Sequence, residues 1–211
     1  STGVRFLRDI RVDTGVDRYT DARLHPNDPR IQTLAKITGR GSSHRDIAKN
    51  INTHLLKTLT YGDPIDDLYS DLDALVRRAV DCGGFDALFV SLCLANNIPA
   101  RIVSGFFLDS NKNDMHAWAE FQDEQGCWIP VDPSTEQLVK QHRSRKSGRF
   151  GYIGSDRLRL SHGCDILIEW NNKFYYAPIL QHPFVIEGGE DTSVRAKIQV
   201  ASQFSPILDT G

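Results

Sequence analysis

The sequence predicts an α+β domain in which helices pack on one side of an antiparallel sheet. Two observations lead there. Before Pro99 the apolar residues recur every three or four positions, and after it every second position; these are the periods of a helix face and a strand face. Helical segments also precede strand segments instead of alternating with them, which opposes a parallel, doubly wound sheet. At 211 residues the chain can bury most of its apolar surface without disulfide or metal staples. No internal repeat divides it, so the expectation is an irregular lead-in over 1–29 and a single domain over 30–211, with core motifs at 75–134 and further strands within 156–203.

The elements follow in order. Residues 1–29 are polar with little periodicity. Pro29 opens a short helix through Ile31, Leu34 and Ala35 that Gly39 closes; proline suits a first turn because its missing N–H has no helical partner there. Ser43 and Asp46 fit a capping box. Behind them Ile47, Ile51, Leu55 and Leu59 repeat as one buried stripe, and Tyr61 and Gly62 end the helix. A third helix is expected over 71–80, with Leu72, Leu75 and Val76 inward. The fourth, over 82–96, carries Phe85, Leu88, Phe89 and Leu92 on one core face; Asn96 and Asn97 stop it, and Pro99 prevents its continuation. Strands are expected at 101–107, 115–121 and 128–131, then at 165–170, 174–177, 184–186 and 194–201.

Composition narrows the function. A formal net charge of −2 disfavours a nucleic-acid partner. No apolar run approaches the roughly 20 residues of a membrane span, and no signal peptide is visible, so the expectation is a cytoplasmic protein with reduced thiols. Cys82 and Cys93 fall eleven residues apart on one predicted helix, roughly 16 Å along its axis, too far for a disulfide. Cys127 and Cys164 both sit in strand-like segments, which leaves their pairing open. No His, Cys, Asp or Glu cluster has metal-ligand spacing, so no metal and no organic cofactor is expected. The stretch 140–149 holds five Lys or Arg and no acid. It reads as a solvated loop, or as a loop beside an active site that attracts acidic substrate groups.

The chemistry centres on Cys82. A thiol attacks a carbonyl as thiolate, and a helix N-terminus favours that negative charge. Cys82 stands at such a position, followed by Gly83 and Gly84, as if something approaches the backbone closely. Asp81 opposes the thiolate; a helix dipole and an imidazolium outweigh it if its side chain points to water. The thiol needs a base, and the base needs an orienting group. A turn at residues 122–126 joins two strands. With that hairpin centred on Glu124, His116 lies opposite Asp132, Trp118 opposite Pro130 and Glu120 opposite Trp128, so imidazole and carboxylate share a face. A one-residue slip separates them. Arg101 reads as half of a structural ion pair near a strand start.

Three runs carry a family resemblance. Cys82-Gly83-Gly84-Phe85-Asp86-Ala87-Leu88-Phe89, continuing to Ile98-Pro99-Ala100-Arg101, resembles the nucleophile helix of the transglutaminase-like superfamily. His116-Ala117-Trp118-Ala119-Glu120 resembles its histidine strand, and Gly126-Cys127-Trp128-Ile129-Pro130-Val131-Asp132-Pro133 its aspartate strand. The order Cys, His, Asp, with spacings of 34 and 16 residues, also suits the family. The stretch 156–166 resembles the strand region that follows the core in bacterial members.

The resemblance implies a papain-like fold and a cysteine peptidase, amidase or acyltransferase. In it Cys82 is nucleophile, His116 base and Asp132 orienter, acting on a protein or peptide through a thioester. An oxyanion site is expected at the backbone N–H of Cys82, with Gly83 beside it and Tyr61 as a further donor that the resemblance implies; Trp118 shares a face with His116 and either walls the site or simply packs there. Eukaryotic transglutaminases carry Gln before the nucleophile and Trp soon after it, where this sequence has Asp81 and Gly83. Hydrolysis is therefore expected over transamidation. The rival expectation is a catalytically inactive binding module that keeps the fold.

Overall fold

The computed structural model of the chain describes residues 11–13, 22–65, 67–108, 115–170 and 173–181. The first helix, α1 (Pro29–Thr38), starts where the Asp28 carboxylate accepts the N–H of Arg30 at 2.8 Å. Helix α2 (His44–Thr58) starts at Ser43, whose hydroxyl accepts the N–H of Asp46 at 3.0 Å. Such side-chain acceptors replace the missing helical partners of a first turn. Ile51 and Leu55 are buried on α2 as expected.

Helix α3 (Asp71–Arg77) is shorter than the expected 71–80. Arg78 stops it in a left-handed conformation, with φ of 62°. Ala79–Val80 then forms β3, paired in parallel with β2 (Thr60–Tyr61). Leu72, Ala74 and Leu75 meet the core. Val76 was expected inward but is 74 % exposed, because a residue next to Leu75 turns about 100° round the helix axis.

Helix α4 (Cys82–Ala95) is the axis of the fold: every residue from Gly83 to Cys93 is buried. A helix apolar all round belongs in the middle of a core. It packs on a four-stranded antiparallel sheet of order β6-β5-β4-β7, made of β4 (Ala100–Phe107), β5 (Met115–Gln122), β6 (Trp128–Val131) and β7 (Arg157–His162). Alternation along β5 sends Ala117, Ala119 and Phe121 into the core shared with α4. His116, Trp118 and Glu120 take the other set of positions.

The β5–β6 register differs from the expected one. Glu120 pairs with Pro130 and Gln122 with Trp128, a shift of two residues. The cause is the turn. Asp123 pairs with Cys127 and accepts the N–H of Gly126, while its carboxylate accepts the N–H groups of Gln125 and Cys127. Gly126, at φ 78°, occupies the left-handed position of a three-residue loop. The hairpin therefore centres on Gln125, not Glu124. A shift of two preserves faces, so His116 and Asp132 become diagonal neighbours on one side.

Helix α5 (Pro133–Lys140) was not expected. Its signal was present: Asp132, Pro133 and Glu136 supply a cap, a first-turn proline and first-turn acid. A second small sheet joins β1 (Arg11–Asp13), β8 (Ile166–Trp170) and β9 (Lys173–Ala177) in the order β1-β8-β9, around Ile166, Ile168 and Ala177. The stretch expected to be an irregular lead-in thus contributes a strand. The expected strands at 184–186 and 194–201 lie outside the described residues.

Gly105 tests how tightly the site's sheet is built. It pairs with His116 on β5 and Arg159 on β7, beside an irregularity in the β4–β7 register. A Cβ there meets the Leu158 carbonyl oxygen at 1.9 Å. We expect Gly105→Ala to lower unfolding free energy by about 1–3 kcal/mol in urea melts, as overpacking does. Gly62 has open space around its Cβ direction, and Gly62→Ala should change stability by less than about 0.5 kcal/mol.

Candidate active site

Asp132 ends β6 and caps α5, and the cap determines how its carboxylate is used. One oxygen, Oδ1, accepts the N–H of Thr135 at 2.9 Å and the hydroxyl of Ser134 at 3.1 Å. The other, Oδ2, faces His116 Nε2 at 2.7 Å and Arg157 Nη1 at 2.5 Å. Asp132 is 0 % and His116 5 % exposed. Burial alone raises a carboxyl's pKa, but here the imidazole and guanidinium outweigh it and hold Asp132 well below the usual range. Because the carboxylate only accepts, Nε2 carries the imidazole proton, and Nδ1 is the ring atom left to serve a thiol.

His116 is held on several sides. Phe107 stacks on its ring, with centroids 4.2 Å apart and planes at 19°. Gln181 donates to the carbonyls of His116 and Gly105 at 2.9 and 2.7 Å. Arg157 lies over the Phe107 and Trp118 rings and donates through Nη2 to the carbonyl of Ser147. A guanidinium buried against aromatic faces needs such partners. Arg157 escaped the sequence reading because nothing in its neighbourhood marks it among the other basic residues of the chain.

Cys82 is the first residue of α4, half-buried, with Asp81 as the cap. Pairing between β5 and β6 ends at Ala119 and Val131. Beyond that point the edge of β5 is open, and Cys82 and Ala117 line one cleft there. The thiol thus sits beside the residue that follows His116. Asp81 does not point to water as the thiolate argument required. Its oxygens accept the N–H groups of Gly84 at 3.3 Å and Ile65 at 3.4 Å. Burial first, then Asp81 and Asp86, push the Cys82 thiol up. These surroundings work against the preformed thiolate that a helix tip suggests.

Cys82 opens on a cleft of about 520 Å³ whose walls include Tyr61, Leu68, Gly83, Met115, Ala117 and Ile179. Burial, with the nearby Asp81 charge, pushes the Tyr61 phenol up to about 12, so its hydroxyl stays a hydrogen-bond donor. Gly83 borders the cleft, but the groups that crowd it are Leu68 and Asp81. Trp118, 1 % exposed, stacks behind His116 with centroids 6.3 Å apart and is not among the cleft's described walls. Arg101 makes the expected structural pair, reaching Glu120 at 2.9 and 2.7 Å under the Trp128 ring.

The basic stretch leaves α5 and folds back over the carboxylate. Gly148 is so close that an added Cβ lies 2.9 Å from Asp132 Oδ2. All four cysteines are free. Among the described residues, no group of three or more His, Cys, Asp or Glu side chains is placed to hold a metal ion, and no helix is long and apolar enough to cross a membrane.

Residues 31–133 match the family model of the transglutaminase-like superfamily. Among solved structures, a candidate cysteine protease from Cytophaga hutchinsonii matches at 20% identity and TM-score 0.45, covering 75% of this chain and 54% of its own. The ethylmercury-bound periplasmic domain of TgpA from Pseudomonas aeruginosa matches at 24% identity and TM-score 0.44, covering 56% of this chain and 47% of its own. The chain therefore spans about half the length of these solved structures. No curated protein matches it.

The buried pair makes a stability prediction. Asp132→Asn leaves the Arg157 guanidinium, 2 % exposed, without its closest carboxylate, and should cost about 3–5 kcal/mol in denaturant melts. The sign with pH follows from the depressed Asp132 pKa. Its contribution is complete above about pH 4, the unfolded value, and is lost as pH falls further. Stability of Asp132→Asn should lack this acid-sensitive part.

Proposed function

We propose that the protein is a cysteine enzyme acting on amide bonds of a protein or peptide, with Cys82 as nucleophile, His116 as general base and Asp132 as orienter. The observation that carries the reading is the buried 2.7 Å contact between His116 Nε2 and Asp132 Oδ2, one residue from Ala117, which shares a cleft with Cys82.

In this reading the Cys82 sulfur forms a bond to the substrate carbonyl carbon while its proton passes to His116 Nδ1. The base acts during attack, because burial and the adjoining Asp81 work against a preformed thiolate. The imidazolium so formed is stabilised by Asp132, as an orienting carboxylate does generally. The tetrahedral oxyanion is met by the N–H groups at the start of α4 and by the Tyr61 hydroxyl. His116 then gives its proton to the leaving amine, and a thioester remains on Cys82. Water, deprotonated by His116, attacks the thioester; the C–S bond breaks, the acid leaves, and His116 returns the proton to the Cys82 sulfur. Water is favoured over an amine because Asp81 and Gly83 replace the residues that flank the nucleophile of eukaryotic transglutaminases.

One observation favours the other reading, a binding module that keeps the fold. A thiol pushed up by burial and carboxylates is the state of an unreactive cysteine.

Peptide libraries separate the two readings. We expect the purified protein to cleave a subset of peptides at neutral pH, and Cys82→Ala to lose roughly 10³-fold or more of that activity. Cleavage by Cys82→Ala at the wild-type rate contradicts the mechanism. Absence of cleavage, together with equal, slow alkylation of all four cysteines by iodoacetamide, favours the binding module.

A further inference from the structure

Asp86 takes no part in the mechanism above, yet it lies on α4 one helical turn after Cys82. It is 0 % exposed, and among the described residues neither of its carboxyl oxygens has a hydrogen-bond partner. A carboxylate without a partner in so dry a place is strongly disfavoured, and such a group keeps a proton instead. Positions four apart on a helix bring Cβ atoms to about 5–6 Å. Helical side chains also lean toward the N-terminus, which carries the Asp86 carboxyl toward Cys82.

The charges around it are few. From α4 itself come Cys82 and Asp81; from the start of α5, Asp132; from β7, Arg157. His116 on β5 adjoins through its bond to Asp132. Asp132 and Arg157 cancel, so with Asp86 neutral the one charge left over is that of the capping Asp81 carboxylate while the thiol and imidazole are neutral. Passing the Cys82 proton to His116 leaves that sum unchanged. Ionising Asp86 adds a negative charge within one turn of the sulfur. At an effective dielectric near 20, two like charges about 6 Å apart shift each other's ionisation by tenfold or more.

We propose that Asp86 is a positioning residue that works as a neutral carboxylic acid: while it holds its proton Cys82 can ionise, and once ionised it opposes the thiolate. Asp86 thereby sets an alkaline limit on the reactivity of Cys82. The proposal rests on the reading of Cys82 as nucleophile. Asp86 touches no substrate and passes no proton to one; it acts through the charge it withholds.

The test follows iodoacetamide alkylation of Cys82, site by site in a mass spectrometer, against pH in the wild-type chain and in Asp86→Asn. In the wild type, ionisation of Cys82 and Asp86 is mutually opposed, so the curve should spread over at least about two pH units more than a one-proton titration. Asp86→Asn should return it to a one-proton curve. A merely structural role for Asp86 changes the amplitude or the melt and leaves the shape alone. Superimposable one-proton curves overturn the proposal. If Asp86→Asn does not fold, the wild-type curve decides alone, since a single one-proton titration there also overturns it. Infrared difference spectra at pH 7 add a direct readout: the wild type should show a protonated-acid C=O band missing from Asp86→Asn, and a carboxylate band in its place overturns the proposal. The Cys82→Ala cleavage result stays separate. Loss of cleavage with superimposable curves removes the role of Asp86 alone, whereas cleavage by Cys82→Ala removes the enzyme reading whatever Asp86 does.

Discussion

The carboxylate of Asp132 is buried, and a buried charge survives only if every lone pair has a partner. Much of the local architecture answers that requirement. The first turn of α5 supplies Thr135 and Ser134 to one oxygen, β5 supplies His116 to the other, and β7 supplies Arg157 to the same oxygen. The loop after α5 closes over the ensemble through Ser147 and Gly148. Remove the carboxylate and a helix loses its cap, an imidazole its orientation and a guanidinium its counter-ion. This economy explains why a single Asp-Pro step sits where strand becomes helix.

The sulfur is governed by a different balance. A helix N-terminus favours negative charge, but burial and the adjoining Asp81 carboxylate oppose it. Together they work against a preformed thiolate. In the proposed reading, proton removal therefore belongs to the encounter with substrate, and the imidazole must be correctly oriented beforehand. That need is what the rigid surroundings of His116 serve: Phe107 on its face, Gln181 on its backbone and Asp132 on its far nitrogen.

Much of this was legible in the residue order. Periodicity located α4 and the strands that carry His116 and Asp132, because a helix buried all round and a half-buried hairpin have distinct patterns. The hairpin register was misjudged by two residues, since Gly126 and the Asp123 side chain set a loop type that residue spacing alone leaves open. The shared face survived because side chains alternate with a period of two. Val76 misled because an apolar residue on a two-turn helix need not face inward. Arg157 and Asp86 were invisible as site residues. One lies 25 residues past Asp132 in sequence and reaches it only through sheet pairing. The other reads from sequence as an ordinary polar position on a helix, and only its complete burial sets it apart.

In the proposed mechanism Asp132 keeps the proton on Nε2 of His116, and Nδ1 presents its lone pair to Cys82. Nitrogen-15 spectra of His116 at neutral pH measure this directly. We expect a protonated Nε2, an unprotonated Nδ1, and a shift of the Nδ1 resonance when Cys82 is blocked as a methyl disulfide. A protonated Nδ1, or an Nδ1 resonance indifferent to the blocked sulfur, contradicts it.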